Sequence, residues 1–239
     1  MKLLPTDWRP VQDGYEVGPA DAPLSVVLIP GIRGDPREFI KLAPLIGGRI
    51  RILRTPEDME PSLRSMADRV LSGLPNRPFH LIGASFGGLL GVAMPPSRLR
   101  SLTTIGSMPT RNASASKAGL LGMLIPALPE PIYRLLSGAR VASSLRKDGP
   151  ELGNLALPSQ QALSRRLKAI AAWELPDRPS VPTRCLWGAD DAMVSWTEAQ
   201  VQKLGMESRI VPGGHFPHLS NPEAVSKVLP FSAADPERG

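Results

Sequence analysis

A short apolar run, Phe79 to Ile82, leads directly into Gly83-Ala84-Ser85-Phe86-Gly87-Gly88 and then into a helical stretch ending near Met94, before Pro95-Pro96. This passage constrains the fold more than any other part of the chain. A serine with glycine two positions to either side, set between a strand and a helix, is a sharp turn. Side chains at the flanking positions would collide with the neighbouring strand and helix. The helix beginning after the serine points free N–H groups and its positive dipole end at whatever occupies the turn. Short Gly/Ser patterns also arise by chance in loops, and the strand before and helix after weigh against that reading.

The rest of the chain supplies a matching frame. Leu24 to Ile29 (LSVVLI) is a continuous apolar run, as a strand buried on both faces should be. The turn Pro30-Gly31-Ile32-Arg33-Gly34 follows it, then a helical segment from about Pro36 to Ile46. Arg49 to Arg54 alternates charged and aliphatic residues and reads as a strand nearer the sheet edge. Leu63, Met66, Val70 and Leu74 fall at helical spacing, with Ser62 as an N-cap. Leu99 to Ile105, Val181 to Trp187 and Ser208 to Val211 read as further strands, and Thr197 to Leu204 and Pro222 to Leu229 as helices. This alternation predicts an α/β fold with a mostly parallel sheet covered by helices on both faces.

Between Thr110 and Ser180 the alternation stops. The segment is helical in pattern, broken by prolines at 126, 129, 131, 150 and 158, and carries most of the chain's net positive charge. The expected organisation is therefore a core from residues 1–110 and 181–239 and a helical cap or lid insert over 111–180.

At 239 residues, 42% of them hydrophobic, the chain can bury one substantial core. The net charge of +6 and pI near 9.9 raise the question of nucleic acid. The arginines are scattered among acids and the few aromatics are not interleaved with them, so no nucleic-acid partner is expected. The single cysteine, Cys185, lies in an apolar strand and reads as a buried, inert thiol. The apolar run in MKLLPTDWRP is too short for a secretory signal core, and Ala118 to Leu128 is too short to span a bilayer. A cytoplasmic location is the resulting expectation.

A serine hydroxyl needs a base. The histidines are at 80, 215 and 218. His80 sits in the strand that delivers Ser85, five residues earlier, and cannot fold back to the hydroxyl. His215 follows Gly213-Gly214 after a short strand, on a loop able to reach the carboxyl edge of the sheet. His218 precedes the last helix and can cap or pack instead, so His215 is preferred. Asp190 and Asp191 lie just past the strand ending at Trp187, and either can orient an imidazole. Asp191 is favoured because the loop must turn after Gly188 before a carboxylate points inward. His215-x-x-His218 beside two aspartates superficially suggests a metal site, but neither a metal nor an organic cofactor is expected.

Three blocks, PGIRG, GASFGG, and WGADDAMV with GGHFPHLSNPEAV, resemble the α/β-hydrolase superfamily, and with the strand–helix order they cover the chain except for the insert and the tails. The resemblance implies Ser85 as nucleophile, Asp191 as the acid and His215 as the base, in the chain order Ser, Asp, His. It also implies an oxyanion hole from the backbone N–H groups of Ile32 and Phe86. Two departures stand out. Pro30 occupies a position where many members have histidine, and Arg54-Thr55-Pro56-Glu57-Asp58 replaces the usual D-x-x-G-x-G-x-S stretch.

A serine nucleophile excludes the branches that need aspartate there and leaves acyl transfer through an acyl-enzyme. The expected activity is hydrolysis of carboxylic esters with small to medium acyl groups. The alternatives are an acyl thioesterase, with an acidic carrier protein docking on the basic cap, and a binding protein that keeps the fold without turnover. No stable membrane insertion is expected. Leu120, Leu121, Met123, Leu124, Ile125 and Trp173 from the insert, with Met193, are candidates for an apolar acyl pocket, or else they pack the cap onto the body. Arg33 and Arg54 fall near the carboxyl edge of the sheet, where they can favour an acidic substrate or remain solvated.

Overall fold

The computed structural model describes residue 5 and residues 7–107, 120–135, 155–174, 176, 178–191, 193 and 197–230. Its strands are β1 (Arg9–Val11), β2 (Gly14–Val17), β3 (Leu24–Ile29), β4 (Arg49–Leu53), β5 (Phe79–Ala84), β6 (Leu99–Ile105), β7 (Thr183–Gly188) and β8 (Glu207–Val211). They form one sheet in the order β1-β2-β4-β3-β5-β6-β7-β8. From β4 to β8 every pairing is parallel, and β1 and β2 add antiparallel to the β4 side. β4 is thus third from its edge rather than near it. The two strands outside it, RPV and GYEV, are too short and too polar to announce themselves in sequence.

The helices are α1 (Ala43–Ile46), α2 (Leu63–Leu71), α3 (Phe86–Ala93), α4 (Gln160–Ala172), α5 (Glu198–Lys203), α6 (Pro217–Ser220) and α7 (Pro222–Lys227). The segment read as one helix from 36 to 46 is a 3-10 turn, Pro36–Phe39, followed by the single turn α1. Pro44 in the first turn of α1 lacks the N–H that would continue a helix from residue 40. Ser62 caps α2 by accepting from Ser65 N–H, and Thr197 forms a capping box with Gln200 at α5.

Alternate residues of the central strands feed two cores, as the pleat requires. Val27, Ile29 and Leu81 pack with Leu63, Met66, Leu89 and Leu90 of α2 and α3, and with Ala169 and Ile170 of α4. Val26, Leu28 and Ile82 pack on the other face with Phe39, Leu42, Ile46, Val225 and Leu229. Within the sequence range of the insert, residues 120–124 and 130–135 are also helical. The parts of the expected helical cap at residues 111–119 and 136–154 lie outside the described residues.

After β3 the chain crosses to one side, to β4, and after β5 it crosses to the other, to β6. The carboxyl ends of β3 and β5 therefore lie side by side at a topological switch point, where the connecting loops diverge and leave a crevice. Pro30–Gly34 leaves β3 there and Ser85 leaves β5 there. No helix among the described residues is long and apolar enough to cross a membrane.

Candidate active site

Ser85 joins β5 to α3 with φ 47° and ψ −112°, one of two non-glycine residues with positive φ among those described. That conformation costs about 1–3 kcal/mol, so the surroundings must enforce it. They do so through glycine. A Cβ on Gly83 would lie 2.4 Å from the backbone of Gly87, and one on Gly87 would lie 2.2 Å from the carbonyl oxygen of Ile29. The Ser85 N–H donates to the Ile105 carbonyl at 2.7 Å, which ties the turn to β6.

The other two residues arrive from the ends of β7 and β8. A Cβ on Gly188 would meet the Gly214 carbonyl at 2.1 Å, so at that point the backbones of the aspartate and histidine loops are in direct contact. Asp190 N–H donates to the Gly213 carbonyl and Asp191 N–H to the Gly188 carbonyl. This turn leaves Asp190 exposed and buries the Asp191 carboxylate to 1% exposure. His215 Nδ1 lies 2.9 Å from Asp191 Oδ2 and 3.1 Å from Oδ1, while its Nε2 lies 3.2 Å from Ser85 Oγ. An ionised carboxylate can only accept, so Nδ1 carries the proton and donates it, leaving Nε2 to accept from the serine hydroxyl. Met193 N–H also donates to Asp191 Oδ1, at 2.8 Å.

The loop after β3 closes the third side. A Cβ on Gly31 would lie 3.5 Å from Ser85 Cβ. Among the described residues nothing accepts from the N–H of Ile32 or of Phe86. Two buried side chains that sequence reading passed over reach this loop. Glu38, on the 3-10 turn, accepts from Gly31 N–H at 3.1 Å through Oε2. Its Oε1 lies 3.2 Å from His218 Nε2, and both side chains are 1% exposed. Arg166, from α4 and also 1% exposed, donates to the carbonyls of Ile32 (2.6 Å), Thr55 (3.0 Å) and Pro56 (3.1 Å). Burial pushes its guanidinium down to about 10. Asp35 is the N-cap of the 3-10 turn and also accepts from the Ala156 N–H. Burial raises its carboxyl, but hydrogen bonds from Arg37 and Ala156 outweigh that and hold it below its ordinary value.

The remaining sequence candidates are dispersed. Trp173 is buried at the left-handed end of α4, in the same core cluster as Ile32 and Phe86. Ile125 is buried, whereas Leu120, Met123, Leu124 and Met193 are between 54% and 63% exposed. Arg54 is exposed, and Arg33 is half-buried, with its guanidinium pushed down by burial against the pull of Glu38 and Asp35. His80 packs at the middle of the sheet, its Nδ1 2.8 Å from Ser101 Oγ. Among the described residues no group of three or more His, Cys, Asp or Glu side chains could hold a metal ion.

A family model described as the alpha/beta hydrolase family matches residues 26–228. Solved structures repeat the fold at low identity. A thermophilic esterase from Thermogutta terrifontis is similar with a TM-score of 0.68 and 20% identity, covering 89% of each chain. A hydrolase from Pseudomonas aeruginosa PA01 is similar with a TM-score of 0.73 and 17% identity, over 93% of this chain and 94% of that one. The thioesterase domain from the curacin biosynthetic pathway is similar with a TM-score of 0.63 and 19% identity, over 92% and 97% of the two chains. No curated protein matches the sequence.

Proposed function

This chain belongs to the alpha/beta hydrolase family, and we propose that it hydrolyses carboxylic esters of small to medium acyl groups through an acyl-enzyme on Ser85. The observation that carries this reading is the unbroken relay from Asp191 through His215 to Ser85, at 2.9 and 3.2 Å. In this scheme His215 Nε2 takes the Ser85 proton as Oγ attacks the ester carbonyl, then returns it to the leaving alcohol. Asp191 fixes the tautomer and stabilises the imidazolium while it lasts. The N–H groups of Ile32 and Phe86, which have no partner among the described residues, receive the oxyanion, typically worth about 3 kcal/mol per donor. Water repeats the sequence on the acyl-enzyme.

Residues 111–180 serve as the cap in this proposal. Support comes from α4 and its approach, which reach the body through Ala156 on Asp35 and Arg166 on the Ile32 loop. Met123, Leu124, Trp173 and Met193 remain the proposed acyl-binding residues, although only Trp173 of the four is buried. A thioester on an acidic carrier protein is the second reading, favoured by the positive charge concentrated in the cap.

The test is covalent. A fluorophosphonate should label the protein stoichiometrically, and Ser85→Ala should abolish labelling. A folded wild type that is not labelled would instead be a binding protein that kept the fold. Matched p-nitrophenyl esters and acyl thioesters then separate the two activities, and a large thioester preference would overturn the ester assignment.

A further inference from the structure

The Ile32 N–H belongs to the peptide group between Gly31 and Ile32, and this group and both of its neighbours are held by hydrogen bonds. Upstream, Gly31 N–H is held by Glu38, which is backed by His218. Within the same peptide group, the Gly31 carbonyl accepts from Gly34 N–H at 2.9 Å. Downstream, the Ile32 carbonyl is held by Arg166 at 2.6 Å. The Ile32 N–H has no partner among the described residues, and a Cβ on the adjoining Gly31 would lie 3.5 Å from Ser85 Cβ. Gly34, at φ +72°, makes room for this arrangement, since a Cβ there would lie 2.9 Å from Arg166 Nη1.

Arg166 is an expensive way to hold a helix against a sheet. Its guanidinium is buried against three backbone carbonyls, and its Nε has no partner among the described residues. Desolvating a cation costs free energy that a methionine or leucine on the same helix face would not incur. Glu38 and His218 pose the same question on the other core, where two ionisable side chains are buried against Phe39 and below the loop. What these groups share is a hydrogen bond, or the backing of one, to a peptide adjoining the Ile32 N–H.

We infer that Glu38 and Arg166 are positioning residues that clamp the oxyanion loop, each fixing one of the two peptide groups flanking the Ile32 N–H. Neither touches substrate. They act by preorganisation: the donor stands in place before charge develops, so no reorganisation is needed during attack. Because Arg166 belongs to the segment proposed as the cap, the clamp also makes the oxyanion loop dependent on α4 being docked. The inference rests on the serine-hydrolase reading above.

A transition-state analogue distinguishes positioning from mere stability. A trifluoromethyl ketone adds to the serine and places an oxyanion in the hole. Its affinity therefore reports the Ile32 N–H, whereas KM for an ester largely does not. Glu38→Ala and Arg166→Met are each expected to lower kcat on a p-nitrophenyl ester by about 10- to 100-fold. KM should stay within about threefold, and the inhibition constant of the ketone should rise in parallel with the loss of kcat. Glu38→Gln, which keeps an acceptor for Gly31 N–H, should recover part of both. A folded Arg166→Met with wild-type kcat, or with reduced kcat and unchanged ketone affinity, would overturn the clamp. Should Arg166→Met fail to fold, Arg166→Lys is read alone. A parallel loss of threefold or more then supports the clamp, and unchanged values overturn it. A wild type that neither turns over esters nor takes a fluorophosphonate removes the hydrolase reading, and the clamp with it; an active wild type with indifferent variants removes the clamp only.

Discussion

The turn carrying Ser85 and the loop carrying the Ile32 N–H face each other across the same switch point, yet they keep their shapes by different means. Residues 83–88 are held by close backbone packing. Gly83 packs on Gly87, and Gly87 packs on the carbonyl that ends β3, so backbone meets backbone with no room for a Cβ. Residues 30–35 are held largely by side chains from elsewhere: Arg166 comes from 134 positions downstream, and the Glu38 that holds Gly31 is itself backed by His218, 180 positions away. The first device is steric and is made by the backbone of the elbow and of the end of β3. The second is polar and long-range, and it is complete only when α4 and α6 have docked. A loop held this way can be tuned, or lost, by changes far from it.

The largest effects should come from the relay that both regions serve. Ser85→Ala is expected to lower ester turnover by about 10⁴-fold or more and to abolish fluorophosphonate labelling, and His215→Ala should follow at several orders of magnitude. Full labelling of Ser85→Ala would place the nucleophile elsewhere.

The contrast between steric and polar control can then be broken with two glycines. In Gly87→Ala the new Cβ would lie 2.2 Å from the Ile29 oxygen and 2.7 Å from that of Pro30, both backbone, so the sheet itself must shift. A loss of about 4 kcal/mol or more is expected in urea unfolding. Gly34→Ala instead meets the end of the Arg166 side chain and Thr55, at 2.9 Å each, with the strain of φ +72° added. It should cost about 1–3 kcal/mol, with kcat falling because Arg166 is displaced. Equal losses at the two sites would erase the distinction.

This difference also explains what could be read from sequence. The elbow declares itself in five residues because its glycines need one another, and the parallel strands declare themselves as apolar runs buried on both faces. The structure brings Ser85, Asp191 and His215 together because each follows a strand within a few residues, and parallel strands deliver their ends to one edge. The antiparallel pair β1–β2 was not legible, since three- and four-residue strands carry little pattern. Glu38 was invisible because nothing in PREF indicates a partner 180 residues away. Arg166 left a trace: Ala162, Arg166, Ala169, Ile170 and Trp173 share one helical face of α4 and its end, so a charge sits in an apolar stripe. Sequence placed His218 as a capping or packing residue, without its partner.

That partner changes what His218 should do. His218→Ala removes a fully buried ring and leaves the Glu38 carboxylate with an open flank. The expected cost is about 2–4 kcal/mol of stability. Turnover should fall about tenfold or less, because Glu38 can still accept from Gly31. His215→Ala should behave oppositely, with a small loss of stability and a large one of activity. The two histidines, three residues apart, thus separate the relay from the support of the loop after β3, and swapped phenotypes would mean the relay had been built on the wrong ring.

The smallest expected effect tests how the loop is tied to the segment proposed as the cap, through Ala156. Asp35 accepts from Arg37 and from Ala156, and its carboxyl titrates below the ordinary value in the folded protein. A depressed folded pKa stabilises wherever the unfolded carboxyl, near 3.9, is already ionised, so the contribution is whole above about pH 5. It declines as acid protonates the folded group. Asp35→Asn keeps the shape and loses the charge, and should cost roughly 1 kcal/mol at neutral pH, since Arg37 is 28% exposed and the pair is partly screened. Urea midpoints for wild type and variant should therefore run parallel from pH 7 to about 5 and converge below about 4. A gap that persists into acid would mean that Asp35 works through packing rather than charge, and that this tie to the proposed cap, like the elbow, is steric.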